Sequence, residues 1–137
     1  MARHHVALSP CGRFIIVAVS GVRDDAAARA STAEALALRT ESGVDRILFD
    51  TRFSVMPIQP QALMSRAMEC GRRLERSRVA LLCEALDDTF SRVWRKGLVE
   101  TGHEAIVFAD AAAAEAWLMT DADAPMVYVP YTKARYF

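Results

Sequence analysis

The sequence contains no apolar run long enough to cross a bilayer, since a membrane-spanning helix needs about 20 consecutive apolar residues. Its first residues also show no apolar core that ends in a small-residue cleavage site, which a signal peptide would require. We therefore expect no membrane span and a cytoplasmic location for the protein.

Neither sign of charge is in excess. The 17 Lys and Arg residues balance 17 Asp and Glu residues, for a formal net charge of zero. Long-range attraction to nucleic acid is therefore not expected of the whole molecule. One cluster spans the end of a predicted helix and the residues just after it: Arg72, Arg73, Arg76 and Arg78. It indicates either an anion or nucleic-acid patch or, as we favour, cations that complement the helix dipole and then a solvated loop.

Cysteine is scarce and unpaired along the sequence. Cys11, Cys70 and Cys83 are widely spaced and form neither a CxxC pair nor a zinc-binding pattern. Cys70 falls on an apolar helix face and Cys83 in an apolar strand, as is typical of buried free thiols. Cys83 also precedes a predicted helix, a position where a thiolate can be activated, but no histidine lies near it in the sequence.

Motifs for cofactor binding are missing as well. The chain has no phosphate-binding glycine loop of the P-loop or dinucleotide-binding kind and no GxSxG nucleophile motif. His4 and His5 are expected on opposite faces of a strand, and His103 follows a glycine in a predicted turn, which favours a surface or capping role. The sequence therefore predicts no metal and no cofactor, and it assigns no catalytic residue.

The chain of 137 residues does contain a regular alternation of strand and helix patterns, at the length of one domain. Strands are predicted over residues 6–8, 13–20, 44–49, 78–83 and 105–108. Helices are predicted over residues 26–40, 60–74, 89–101 and 111–119. This order predicts an α/β fold: a mixed, mostly parallel sheet of about 4–5 strands with an N-terminal antiparallel strand pair and about four helices.

Caps and apolar stripes mark the predicted helices. Asp24 or Asp25, Asp87 or Asp88, and Asp110 each precede a helical pattern and suit an N-cap position. In the third helix, helical spacing predicts a buried face made of Phe90, Val93, Trp94, Gly97 and Leu98. In the first helix, the corresponding stripe consists of Ala33, Leu36, Ala37 and Thr40. Glycine at position 21 is expected to end the second strand.

We expect a single α/β domain over residues 1–121 and an aromatic tail or arm over residues 122–137. Four aromatic side chains lie in this tail: Tyr128, Tyr131, Tyr136 and Phe137. Exposed aromatic residues concentrate at interfaces, so these four are candidates for contact with a protein partner or with a second copy in a homodimer. The alternative is that the tail packs on its own sheet or frays.

Four segments carry a resemblance to a known family: DRILFD at residues 45–50, RVALL at 78–82, VFAD at 107–110 and EAWL at 115–118. Together with the initial strand pair, they resemble the STAS-type fold of bacterial anti-sigma-factor antagonists, and more narrowly its SpoIIAA-like group, over roughly residues 13–119. The resemblance implies a regulatory or ligand-sensing module without enzymatic activity. Lipid-binding relatives in the wider superfamily leave a small apolar ligand as an alternative.

Antagonists that work by a phosphorylation switch carry Asp-Ser-Ser/Thr-Gly at the start of a helix. The matching region here, residues 50–60, reads DTRFSVMPIQP and lacks that signature. Ser54 and Thr51 are its only hydroxyl residues, and the resemblance does not favour a switch at either of them.

Ligands of open α/β sheets bind beyond the carboxyl ends of the parallel strands. The candidate ligand-binding residues expected there are Asp50, Arg52, Ser54, Gln59, Glu84 and Asp87. Paired carboxylates can do acid–base work or bind a hard cation, although helix capping is the simpler interpretation of Asp87, Asp88 and Asp110. We therefore expect a non-enzymatic regulatory or ligand-sensing module that acts through protein–protein contacts. The alternative is a small-molecule or lipid carrier, or a small enzyme that uses Asp50, Glu84 and Asp87.

Overall fold

The computed structural model describes residues 2–120 of the chain. Within this range it has five strands: β1 (Arg3–Leu8), β2 (Ile15–Val22), β3 (Arg46–Val55), β4 (Arg78–Leu82) and β5 (Glu104–Phe108). The helices are α1 (Asp25–Ser42), α2 (Pro60–Arg73), α3 (Thr89–Glu100) and α4 (Ala111–Leu118). None of these helices is both long and apolar enough to cross a membrane. The predicted tail, with Tyr128, Tyr131, Tyr136 and Phe137, lies outside the described residues.

The strands form one sheet in the order β1-β2-β3-β4-β5. β1 is antiparallel to β2, and every later neighbour is parallel. A tight turn closes the first pair, where Gly12 takes a positive φ of 72° and the Ser9 N–H donates to the Phe14 carbonyl at 2.8 Å. The predicted mixed, mostly parallel sheet with an N-terminal antiparallel pair is therefore confirmed.

β2 and β3 extend beyond their predicted ends at residues 20 and 49. Gly21 does not end β2, because a register shift between Ala18 and Ser20 allows residues 20–22 to pair with residues 53–55 of β3. β4 ends opposite Asp50, so this pair of segments projects past it. We call residues 20–22 and 53–55 the terminal ribbon.

Three helices cover the first face of the sheet. Their apolar side chains pack on alternate residues of the strands in a single core of Ile15, Val17, Val19, Ile47, Val79, Leu81 and Ala105 with Leu63, Ala67, Leu74, Trp94 and Leu98. The predicted buried face of α3 is confirmed, since Trp94, Gly97 and Leu98 are buried and its other members are half-buried.

Aspartates begin three of the helices, as predicted. The carboxylates of Asp24 and Asp88 each accept the backbone N–H three residues along, at 2.8 and 2.9 Å, and Asp110 accepts the N–H two residues along at 3.1 Å. These bonds satisfy donors that the first helical turn leaves without a partner. The caps of α1, α3 and α4 are therefore structural.

α1 buries a different face from the one predicted. Of the predicted stripe, Ala33, Ala37 and Thr40 are exposed, whereas Ala28, Ser31 and Arg39 are the buried residues of the helix. Arg39 Nε lies 2.9 Å from the Ser77 hydroxyl oxygen, and its Nη2 donates to the Arg76 carbonyl at 2.8 Å. The apolar pattern therefore predicted the wrong buried face, because it assigned burial to Ala33 and Ala37 instead of Arg39, whose partners are distant in the sequence.

α4 is the described helix that covers the second face. Its residues Ala111, Ala114 and Leu118 pack on Leu48, Ala80 and Leu82 of the central strands. Two arginines hold its end against the sheet: Arg46 donates to the Leu118 carbonyl, and Arg78 Nη1 donates to the Trp117 and Thr120 carbonyls at 2.9 and 2.8 Å. Because both arginines begin strands, α4 ends at the amino edge of the sheet.

Candidate functional site

Asp50 and Arg52 of β3 form an ion pair at the carboxyl edge of the sheet. Arg52 Nη2 lies 2.8 Å from Asp50 Oδ2, and both Nε and the backbone nitrogen of Arg52 lie 3.0 Å from Oδ1. The Asp50 and Arg52 side chains are only 11% and 9% exposed. Residues two apart on a strand share a face, so their spacing places them together. Both carboxylate oxygens of Asp50 therefore accept hydrogen bonds from the Arg52 guanidinium. This bidentate geometry is the strong form of a carboxylate–guanidinium contact.

The two hydroxyl groups nearby bind backbone carbonyls. The Thr51 hydroxyl donates to the Leu82 carbonyl at 3.2 Å, and the Ser54 hydroxyl donates to the Thr51 carbonyl at 3.2 Å. Ser54 lies inside β3, six residues before α2 begins at Pro60. A phosphate on Ser54 would therefore not lie in the first turn of a helix.

The acidic residues after β4 have different surroundings. Asp88 caps α3, whereas Glu84 and Asp87 are exposed. The prediction of a cap at this position is thus confirmed for Asp88 rather than for Asp87. Gln59, the residue that precedes α2, is also exposed.

A cavity of about 260 Å³ opens between the end of β3 and the start of α3. Its lining consists of Thr51, Arg52, Ser54, Val55, Met56, Cys83, Glu84, Asp88, Thr89 and Phe90. It brings together three of the six predicted residues, namely Arg52, Ser54 and Glu84. Asp50 is joined to it through the ion pair, and Gln59 and Asp87 lie outside its lining. Its volume is slightly below the roughly 300–1,000 Å³ of typical ligand pockets, so it suits only a small ligand.

Cys83 is held as a thiol on the wall of this cavity. The residue is 2% exposed, and its Sγ donates to the Ala85 carbonyl at 3.0 Å and lies 3.4 Å from the Phe108 carbonyl. Burial raises the pKa of the Cys83 thiol. Because the thiolate is the reactive form of cysteine, this environment opposes a role as nucleophile.

Sequence reasoning missed the exposed apolar side chains at this edge. In the terminal ribbon, Val22, Phe53 and Val55 are 69%, 55% and 61% exposed, and Leu86 in the next loop is 47% exposed. Only two other large apolar side chains within residues 2–120, Leu8 and Val99, are exposed. The sequence contains a signal for this extension of β3, because residues 52–55 alternate polar and apolar side chains with the period of a strand.

The four clustered arginines have separate environments. Arg72 and Arg73 are exposed in the last turn of α2, where cations complement the helix dipole. Arg78 is 12% exposed; its Nε lies 2.9 Å from a Glu104 carboxylate oxygen, and its guanidinium carbon lies 4.8 Å from the Trp117 ring centroid. The structure therefore supports the interpretation as helix-end cations for the first two and a structural role for Arg78.

His103 is buried rather than on the surface. Its Nδ1 accepts the Ser77 N–H at 3.2 Å, so the ring proton lies on Nε2, which donates to the Gly71 carbonyl at 2.7 Å. His103 therefore has the expected capping role, at the end of α2. Within residues 2–120, no group of three or more His, Cys, Asp or Glu side chains is arranged to hold a metal ion.

Comparison with known proteins does not assign the chain to a family. No protein-family model matches the chain, and no curated protein matches it. A functional assignment therefore rests on the arrangement of the residues described above.

We expect Cys11 to be the one cysteine that reacts rapidly with a thiol reagent such as DTNB in the native protein. Cys11 is exposed, and a hydrogen bond with Ser9, with Oγ and Sγ 3.3 Å apart, lowers its pKa. Burial raises the pKa of Cys70 to about 11 and also raises that of Cys83. A lower pKa means more thiolate at pH 8, so the fast phase should titrate below an ordinary cysteine and disappear in Cys11→Ser. Two or more fast thiols per native chain would contradict this assignment.

Proposed function

We propose that this chain is a non-enzymatic regulatory module that binds a protein partner through the carboxyl edge of its sheet. The observation that carries this proposal is the terminal ribbon, where Val22 and Val55 are paired on neighbouring strands and both are more than half exposed. Adjacent apolar side chains left in water on a folded domain are typical of an interaction site.

The surroundings of the ribbon also resemble a protein interface. Phe53 lies two residues before Val55, and the Arg52 guanidinium carbon is 5.4 Å from the centroid of its ring. The exposed carboxylates of Glu84 and Asp87 lie in the loop that follows β4. Protein interfaces combine aromatic side chains at the centre with a polar rim, which supports a protein partner rather than a nucleic acid.

The polar groups of the same edge support a non-enzymatic role. The Asp50 carboxylate is paired with Arg52, Asp88 caps a helix, and the Cys83 thiol is buried. Glu84 and Asp87 are exposed to water, whereas catalytic carboxylates commonly lie in a cleft, buried or beside another charge.

We extend the proposal, from the resemblance, to a STAS-type domain in the bacterial cytoplasm. The proposed fold type is supported by the antiparallel first pair of strands, the parallel strands that follow and the helices on both faces of the sheet. The segment DRILFD enters β3, and EAWL ends α4. A second copy of the chain is the simplest partner, because a net charge of zero gives two copies no long-range repulsion.

A second candidate function, binding of a small ligand, is favoured by the cavity beside the ribbon. The apolar side chains of Val55, Met56 and Phe90 line it. Phe90 is stacked on Trp94, with ring centroids 5.4 Å apart, and both rings meet Phe49 edge-on. This cluster makes a firm apolar wall against which a small apolar ligand can pack.

Native mass spectrometry of the full chain, purified from its host under non-denaturing conditions, distinguishes the two functions. The proposal expects the 15.1 kDa chain to carry the mass of a second polypeptide, either another copy or a different protein. A bound mass of a few hundred daltons on a single chain would support the ligand instead. A bare chain at micromolar concentration would contradict both.

A further inference from the structure

A cavity of about 230 Å³ lies between α1 and α2, on the first face of the sheet. Both helices contribute side chains to its lining, as does Trp94 of α3. Four of the lining side chains are charged: Arg29 from α1, and Arg66, Glu69 and Arg73 from α2. We call this cavity the arginine groove. It shares no lining residue with the cavity beside the terminal ribbon.

The lining of the arginine groove has an excess of positive charge. Three arginines and one glutamate line it, which leaves two net positive charges at neutral pH. This excess is local, because the chain as a whole has a formal net charge of zero. A concave site with a surplus of positive charge concentrates anions, and an anion with two negative charges matches the surplus of this one.

The helix period places both arginines of α2 on the side of the helix that lines the groove. Arg66 and Arg73 are seven residues apart, about two helical turns, and Cys70 lies between them on the same side. Burial raises the pKa of the Cys70 thiol to about 11, and the positive charge of Arg73 opposes this rise. The charge of Arg73 is therefore felt at the wall of the groove and not only in the surrounding water.

A carboxylate of the chain already contacts two of the three arginines. Asp25 Oδ2, in the first turn of α1, lies 3.0 Å from Arg29 Nε, and Asp25 Oδ1 contacts Arg66 Nη2. This single carboxylate links the two helices at the rim of the groove. The Asp25 side chain is 55% exposed, and exposed ion pairs are weak, so an anion from solution can compete with it.

We propose that the arginine groove binds a small dianion, either a phosphate group or a short dicarboxylate, through Arg66 and Arg73 of α2 and Arg29 of α1. Guanidinium groups hold such anions by charge-assisted hydrogen bonds, often two to one anion. The volume of the groove is below the roughly 300–1,000 Å³ of typical ligand pockets, which suits a ligand of this size. The site does not depend on the partner proposed for the terminal ribbon.

An NMR titration of the isotope-labelled full chain with inorganic phosphate tests this proposal. At pH 8 phosphate is mainly a dianion, and sodium chloride keeps the ionic strength constant throughout. Saturable shifts are expected at backbone amides of the groove, including those of Thr32 and Cys70, and not at the amides of Val22 and Val55 in the terminal ribbon. If neither phosphate nor succinate produces saturable shifts in the groove, the proposal is overturned.

The succinate titration also distinguishes the two kinds of dianion. A response to phosphate alone supports a ligand that carries a phosphate group, whereas a response to succinate supports a dicarboxylate.

Matched arginine variants locate the site. Arg66→Gln and Arg73→Gln should each weaken phosphate binding by about tenfold or more, because each removes a charge-assisted contact. Arg72→Gln removes the same charge from the adjacent exposed residue, which does not line the groove, and should change the affinity by less than about twofold. Equal losses in Arg72→Gln and Arg73→Gln would show only a general attraction of anions to the end of α2 and would overturn the proposal.

Asp25→Asn provides a test that a folding defect cannot imitate. It removes the carboxylate that competes for Arg29 and Arg66, so phosphate should bind several-fold more tightly than it does to the wild type. Weaker or unchanged binding in this variant would contradict the assignment of these two arginines to the site.

Discussion

Replacing Asp50 with alanine is expected to lower the free energy of unfolding by about 3 kcal/mol, because it removes one partner of a largely buried ion pair. The Arg52 guanidinium would lose both oxygens that it contacts at 2.8 and 3.0 Å. Urea unfolding followed by tryptophan fluorescence measures the change as a shift of the midpoint at constant slope. The size of the effect follows from burial, since an exposed ion pair contributes at most about 1 kcal/mol.

Two controls separate a structural from a functional role of Asp50. Asp45→Ala removes a carboxylate whose side chain is 68% exposed and lies 4.0 Å from Arg46 Nε, and it should change stability by less than about 1 kcal/mol. The double substitution Asp50→Leu with Arg52→Met should recover most of the loss, because it leaves no buried charge. If Asp50→Ala were as stable as the wild type but lost its partner or ligand, Asp50 would be a binding residue.

Gly97→Ala is expected to destabilise the protein by about 2 kcal/mol through overpacking between α2 and α3. A methyl group at position 97 would lie 2.4 Å from the Ala67 Cβ and 3.1 Å from its carbonyl carbon. Helix propensity alone predicts the opposite sign, a gain of about 1 kcal/mol, so the direction of the change is decisive. Thermal and urea unfolding both measure it.

A compensating substitution tests the cause of that loss. Ala67→Gly removes the nearer methyl group, so the double variant with Gly97→Ala should be more stable than the sum of the two single changes predicts. The remaining backbone contact at 3.1 Å keeps the rescue partial. Additive losses in the double variant would show that the helices do not meet at these residues.

The sequence was sufficient to predict the architecture because its signals are local. Aspartate caps, apolar strands and helical spacing each lie within a few residues, and together they predicted the sheet and its four helices. The buried face of α1 was not predictable in this way. Arg39 is buried because of partners 37 and 38 residues away, so a rule based on hydrophobic spacing alone assigned the wrong face.

The candidate site was predictable only in part, for a similar reason. The carboxyl ends of parallel strands meet at one edge, which correctly brought Arg52, Ser54 and Glu84 to one cavity. Gln59 was included because β3 was expected to end at residue 49, and Asp87 was included because it follows β4. The strand instead continues to residue 55, since β2 remains paired with it, and this long-range pairing also creates the apolar ribbon.

The measurement that tests the central claim most directly is the native mass of two matched variants, Val55→Glu and Val99→Glu. Both replace an exposed valine, 61% and 44% exposed, but Val55 lies in the terminal ribbon and Val99 near the far end of α3. With the fold of each verified by circular dichroism, the account predicts that Val99→Glu retains the partner polypeptide found on the wild type and that Val55→Glu loses it. Retention of the partner by Val55→Glu, at the affinity of the wild type, would contradict the account.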